Sequence, residues 1–161
     1  MVFAVACRLL AAAGARVYLA ARSMERLEKI AGEIGGVPLS LDLEDADAVG
    51  ASIQGLVSEL GAAPDIVVNA AGVFSMTPTV DTPVETFGQA LAVNLAGPFA
   101  VIRALLPAMI ARGSGSVVTV GSVAGRKAYP GNAAYSSAKF GLRGLHEVLR
   151  EELRGTGVRC S

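Results

Sequence analysis

A chain of 161 residues has the length of one domain with a single sizeable core. Apolar residues make up 52% and charged residues 17%, which argues against disorder. The 14 basic and 14 acidic residues cancel, so the basic surplus a nucleic-acid or anionic-membrane binder needs is missing. One His and two Cys (Cys7 and Cys160), without CxxC or HExxH spacing, leave no zinc site and no disulfide framework. That cysteine usage points to a reducing cytoplasm.

No stretch reaches about 18 apolar residues without a charge, proline or Asn. The richest, residues 88–102, is interrupted by Asn94 and Pro98. The start, MVFAVACRLLAAAGA, is superficially signal-like, but no basic residue precedes the apolar run and Arg8 lies inside it. Neither feature predicts a membrane partner.

In chain order, residues 2–13 read as a helix stopped by Gly14, and 16–21 (RVYLAA) as a short apolar strand. Met24, Leu27, Ile30 and Ile34 recur at helical spacing until Gly35-Gly36, and 37–41 is a second strand. Val49, Ile53, Leu56, Val57 and Leu60 mark a helix closed by Gly61; residues 65–69 (DIVVN) are a strand apolar on both faces. The next helix is predicted to start with Thr82 as cap, Pro83 in the first position and Glu85 completing a capping box. It runs to Ala111 and ends near Gly113. Residues 116–121 form a strand, and Asn132 opens a helix striped by Ala138, Leu142, Leu145 and Leu149. Gly155 and Gly157 end it, and 158–161 begins another strand.

Alternating strands and helices predict a single α/β domain with a parallel sheet covered on both faces. In such sheets ligands bind beyond the carboxyl ends of the strands, here just after Ala21, Leu41, Val68 and Gly121. Tyr135 and Lys139 lie four apart near a helix start and share a face. Taken alone they could be two surface residues. Around them stand Ser122 after one strand, Asn69-Ala70-Ala71-Gly72 after another, and Asn94 in mid-helix. Pro98, four residues beyond Asn94, has no N–H, so the Asn94 carbonyl loses its helical partner; a simple kink is the plainer reading. Ser122 could be a turn cap, and Asp42 the cap of the helix after it. His146 lies about two turns past Lys139 and reads as structural or solvated.

With this spacing and element order, the chain resembles the short-chain dehydrogenase/reductase family along essentially its whole length. The resemblance implies a Rossmann-like doubly wound parallel sheet and hydride transfer between a nicotinamide and a carbonyl or secondary alcohol. It implies Tyr135 as general acid/base, Lys139 as its electrostatic partner and a ribose contact, Ser122 as holder of the substrate oxygen, and Asn94 as a water-mediated proton relay. Bringing a phenol from its ordinary ~10 to near neutrality takes roughly 4 kcal/mol. An ammonium ~4 Å away contributes about that at an effective dielectric of ~20. For the cofactor, Arg22 and Ser23 follow a strand whose last residue, Ala21, stands where an acid would bind a ribose 2′-hydroxyl. That pattern favours NADP(H) over NAD(H), although Arg22 could also be a plain solvated charge. Asp42 and Leu43 would contact adenine, and Asn69, Ala70, Ala71 and Gly72 would line the cofactor. Relatives usually pair through the helices at 83–111 and 132–155, which implies a homo-oligomer.

The family begins with a strand running into a Gly-rich turn that receives the pyrophosphate. Here Met1-Val2 stand where the last glycines would be, and the chain stops at 158–161, where relatives continue. The resemblance therefore implies a chain clipped at both ends, without the central strand between 16–21 and 65–69. Two readings follow: an oxidoreductase represented by an incomplete chain, or a non-catalytic fragment or interaction module. The residues that choose substrate lie mostly in 124–134 and beyond the last residue.

Overall fold

The computed structural model describes residues 2–161. The chain forms two compact units, Met1–Asp42 and Leu43–Ser161. The strands are parallel and the linking elements helical, as the alternation requires.

In the first unit, helix α1 (Val2–Ala12), strand β1 (Tyr18–Ala21), helix α2 (Met24–Ile34) and strand β2 (Val37–Ser40) follow one another. Gly35, in the left-handed region at φ 66°, ends α2. β1 pairs with β2 from Tyr18↔Val37 to Ala21↔Ser40, and Val37 N–H donates to the Val17 carbonyl just before the ladder. Cys7, Val17, Leu19, Leu27 and Ala31 form the core, flanked by Phe3, Leu10, Ile30 and Ile34.

In the second unit come helix α3 (Ala46–Leu60), strand β3 (Ile66–Asn69), helices α4 (Val84–Leu91) and α5 (Gly97–Arg112), strand β4 (Gly115–Thr119), helix α6 (Ala133–Glu152) and strand β5 (Val158–Cys160). The strand order is β3-β4-β5. Arg112, in the last turn of α5, ties the approach to β3 by donating to the Ala63 (2.6 Å) and Pro64 (3.2 Å) carbonyls. β1 and β3 each pair on one side only among the described residues, so each leaves one row of ladder groups without a strand partner.

Three local expectations change. Thr82 does not cap α4: its hydroxyl donates to the carbonyls of Thr77 (3.1 Å) and Pro78 (2.9 Å). A 3₁₀ turn at Thr79–Asp81 carries Thr82 at its end, which turns that side chain back along the chain. Pro83 is then the residue before the helix, without a side-chain cap, and the capping box with Glu85 does not form. Asp42 is not the cap of the helix after it either; Asp45 accepts from Ala48 N–H at 2.9 Å. Finally, the long helix is not uniform. A π-helical turn, Ala92–Ala96, separates α4 from α5, and Gly97 N–H reaches back five residues to the Ala92 carbonyl. Pro98 cannot donate to Asn94, and the widened turn accommodates that missing bond.

The run Val84–Arg112 is long and apolar enough to cross a bilayer, but half of its most apolar window is buried inside the protein. Ile102, Leu105 and Met109 are almost fully covered, and fully buried Asn94 lies within it, as in a core helix.

Candidate active site

The ends of β3 and β4 bring the central residues together. Asn69, last in β3, pairs with Thr119 in the ladder, and its amide donates to Thr119 Oγ1 at 3.2 Å. After β4 the chain passes Val120, whose N–H donates to the Asn69 carbonyl at 2.9 Å. It then enters a 3₁₀ turn at Val123–Gly125 capped by Ser122, whose Oγ accepts from Ala124 N–H at 3.1 Å. The turn-cap role of Ser122 is thus realised, and it leaves the hydroxyl proton for another acceptor.

α6 carries Tyr135 and Lys139 one turn apart on one face. Lys139 is 6% exposed, and its ammonium donates to the Val120 carbonyl at 3.0 Å. It stands 5.7 Å from the centre of the Tyr135 ring. Burial holds the Lys139 pKa below its ordinary value. No carboxylate pairs with Lys139 among the described residues. An ammonium has three protons, and this one makes one hydrogen bond within the described residues, so it retains donors for a hydroxylated ligand.

Asn94 is fully buried and does something the sequence did not reveal. Its Oδ1 accepts from Val73 N–H at 3.1 Å, and its Nδ2 donates to the Val73 carbonyl at 2.9 Å. The side chain thereby clamps the backbone immediately after Gly72. A β-carbon on Gly72 would stand 2.8 Å from Asn94 Oδ1, so any side chain there would have to push the amide from its place on Val73. Leu43 abuts the start of α5: a β-carbon on Gly97 would lie 2.7 Å from that of Leu43. Ala70 is half-buried; Ala71 is exposed.

Arg22, Ser23 and Asp42 belong to the first unit. Arg22 and Ser23 are exposed at the carboxyl end of β1, and Ser23 precedes α2 without using its side chain as a cap. Asp42, also exposed, follows β2. His146 is buried rather than solvated. Its Nδ1 lies 3.0 Å from Cys160 Sγ, and burial, then the nearby Arg150 charge, holds its pKa low.

Phe74 and the Val120 carbonyl were not foreseen. The Phe74 ring meets Tyr135 edge-on, with centres 5.1 Å apart and planes at 82°. Nothing in the sequence links residues 74 and 135; only the hydrogen-bonded course of 73–77 brings them together.

The sequence profile described as short chain dehydrogenase matches residues 4–161. The chain belongs to the short-chain dehydrogenase family. A short chain dehydrogenase of Pseudocercospora fijiensis is 39% identical over 159 residues, covering 94% of this chain and 51% of the relative. The D-threitol dehydrogenase of Mycolicibacterium smegmatis is 33% identical over 153 residues, covering 92% and 58%. Among solved structures, a metagenomic short-chain oxidoreductase in complex with NADP superposes with a TM-score of 0.91 at 38% identity, covering 98% of this chain and 74% of that one. The chain therefore spans little more than half the length of those two sequence relatives. The parallel α/β fold expected from the sequence is shared with the solved relatives.

Proposed function

We propose that the protein is an NADP(H)-preferring oxidoreductase acting on a carbonyl/secondary-alcohol pair, with Tyr135 as general acid/base. The observation that carries this reading is the buried Lys139 ammonium beside the Tyr135 ring, held by the Val120 carbonyl. The ammonium lies 5.7 Å from the centre of that ring, a positive charge beside the group proposed to exchange the proton. A bound nicotinamide would supply or accept the hydride. In reduction Tyr135 Oη gives its proton to the substrate oxygen, and in oxidation it takes that proton back. The Ser122 hydroxyl donates to the substrate oxygen while its own oxygen keeps the Ala124 N–H bond. Lys139 would direct a remaining proton to a ribose hydroxyl of the bound cofactor, and Asn94 would serve, by the family resemblance, in returning protons to Lys139.

By the family resemblance Asn69, Ala70, Ala71 and Gly72 would line the cofactor, Asp42 and Leu43 would contact its adenine, and Arg22 with Ser23 would receive a 2′-phosphate. Support for the last pair is an exposed guanidinium at a strand's carboxyl end, followed by a helix start whose serine side chain makes no cap. The same reading places the protein in the cytoplasm as a homo-oligomer joined through α4, α5 and α6. Exposed Phe99, Ile110, Phe140 and Val148 on α5 and α6 support that pairing, and the zero net charge agrees with the absence of a nucleic-acid partner.

The test is Tyr135→Phe, which keeps the ring and removes the transferable proton. Carbonyl reduction should fall at least a hundredfold in kcat while NADPH binding, measured by titration, stays within about threefold. Retention of more than about a tenth of kcat would overturn the assignment.

A further inference from the structure

Residues 73–77 are held at both ends and present large apolar side chains in between. At one end the Asn94 amide clamps both backbone groups of Val73. At the other, Thr77 N–H donates to the Gly131 carbonyl at 2.7 Å, and the Thr77 carbonyl accepts from the Thr82 hydroxyl at 3.1 Å. Between these anchors, Phe74 is 64% exposed and Met76 is 68% exposed. This is unusual for side chains on a segment so firmly fixed, because a large apolar group gains most from burial.

Their position is informative. Phe74 meets the Tyr135 ring edge-on, with centres 5.1 Å apart, while most of its own surface stays exposed. Gly131, which receives Thr77, lies on the loop that leads into α6; a β-carbon there would stand 3.6 Å from Met76 Cγ. Val123, next to Ser122 in the chain, is 71% exposed. The two groups assigned to the substrate oxygen, Tyr135 and Ser122, thus each have an uncovered apolar neighbour. No charged side chain lies on the 73–77 segment.

We infer that Phe74, supported by Met76, is a specificity-determining wall for the substrate, selecting ketones and secondary alcohols with an aryl or branched alkyl group on the reacting carbon over polyols. The inference rests on Tyr135 being the group that meets the substrate oxygen. A substrate oxygen at Tyr135 Oη places one carbon substituent toward Phe74, where an apolar group gains contact and a hydroxylated one finds no hydrogen-bond partner on the ring. Asn94 acts here as a positioning residue, because it fixes the segment that carries Phe74.

Acetophenone and dihydroxyacetone serve as probes, with the full chain, Phe74→Ala and Phe74→Leu. Binding is followed by saturation-transfer difference titration and turnover by NADPH oxidation. Acetophenone should bind saturably and weaken about tenfold in Phe74→Ala, with Phe74→Leu recovering most of the loss. Dihydroxyacetone should be weaker and indifferent to both changes. Equal binding of the two ketones, or acetophenone binding unmoved by Phe74→Ala, overturns the inference. Turnover separates the two readings. If Tyr135→Phe abolishes turnover while Phe74→Ala leaves the preference intact, the wall is wrong and the catalytic assignment stands. If Phe74 governs acetophenone binding but Tyr135→Phe keeps its turnover, the catalytic assignment fails, and with it the substrate pose proposed here.

Discussion

Replacing Asn94 by Ala removes a fully buried amide that makes two hydrogen bonds to Val73, at 3.1 and 2.9 Å. Leaving a backbone donor or acceptor unsatisfied costs about 1–3 kcal/mol each. Val73 is only half-buried, so water reaches part of the vacated space and the total should sit near 2–4 kcal/mol. Against a domain's margin of about 5–15 kcal/mol this is a large fraction. For a slope of about 2 kcal/mol per molar urea, the midpoint should drop by roughly 1–2 M. The loss should also be local: the Val73 amide should exchange with solvent orders of magnitude faster than amides in α5. Asn94→Asp tests the donor separately, since a carboxylate can still accept from Val73 N–H but cannot donate to its carbonyl. A midpoint shift below about 0.5 M, or unchanged exchange at Val73, would refute the view that this amide organises the segment after β3.

Three further outcomes follow from the same geometry. In Arg22→Ala, the ratio of kcat/KM with NADPH to that with NADH should fall ten- to a hundredfold, as expected for loss of a charge-assisted bond of about 1.5–3 kcal/mol; equal use of the two cofactors by the unmutated protein would sink the assignment. His146 is held below its ordinary pKa by burial and then by Arg150, so the unfolded chain binds more protons at that site. Its contribution to stability is therefore complete above about pH 6.5 and is lost as pH falls through the lower folded value, and urea midpoints of His146→Leu should lose that part of the acid dependence. The open edges of β1 and β3 should make residues 1–161 self-associate, seen as species larger than monomer on size-exclusion chromatography; a monodisperse monomer at tens of micromolar, an order-of-magnitude working concentration, would show that the edges are protected.

The order of elements was legible because each strand is a short apolar run and each helix an amphipathic or apolar repeat, several of them closed by glycine. Gly35, Gly61 and Gly113 all take the left-handed conformation that ends a helix. The pairing of Tyr135 with Lys139 was legible because spacing of four on a helix fixes a shared face whatever surrounds it. Local chemistry misled at Thr82 and Asp42, where several polar residues compete for one cap and the winner depends on the turn before it. Asn94 shows the division most clearly. Its place before Pro98 predicted a disturbed helix, and a π-helical turn is there. That its side chain grips Val73, that Gly72 is bare to admit it, and that Phe74 is thereby set against Tyr135 depend on contacts between residues 21 to 61 positions apart. Such contacts exist only after burial has brought the elements together, because no local propensity encodes which backbone group a buried amide will meet.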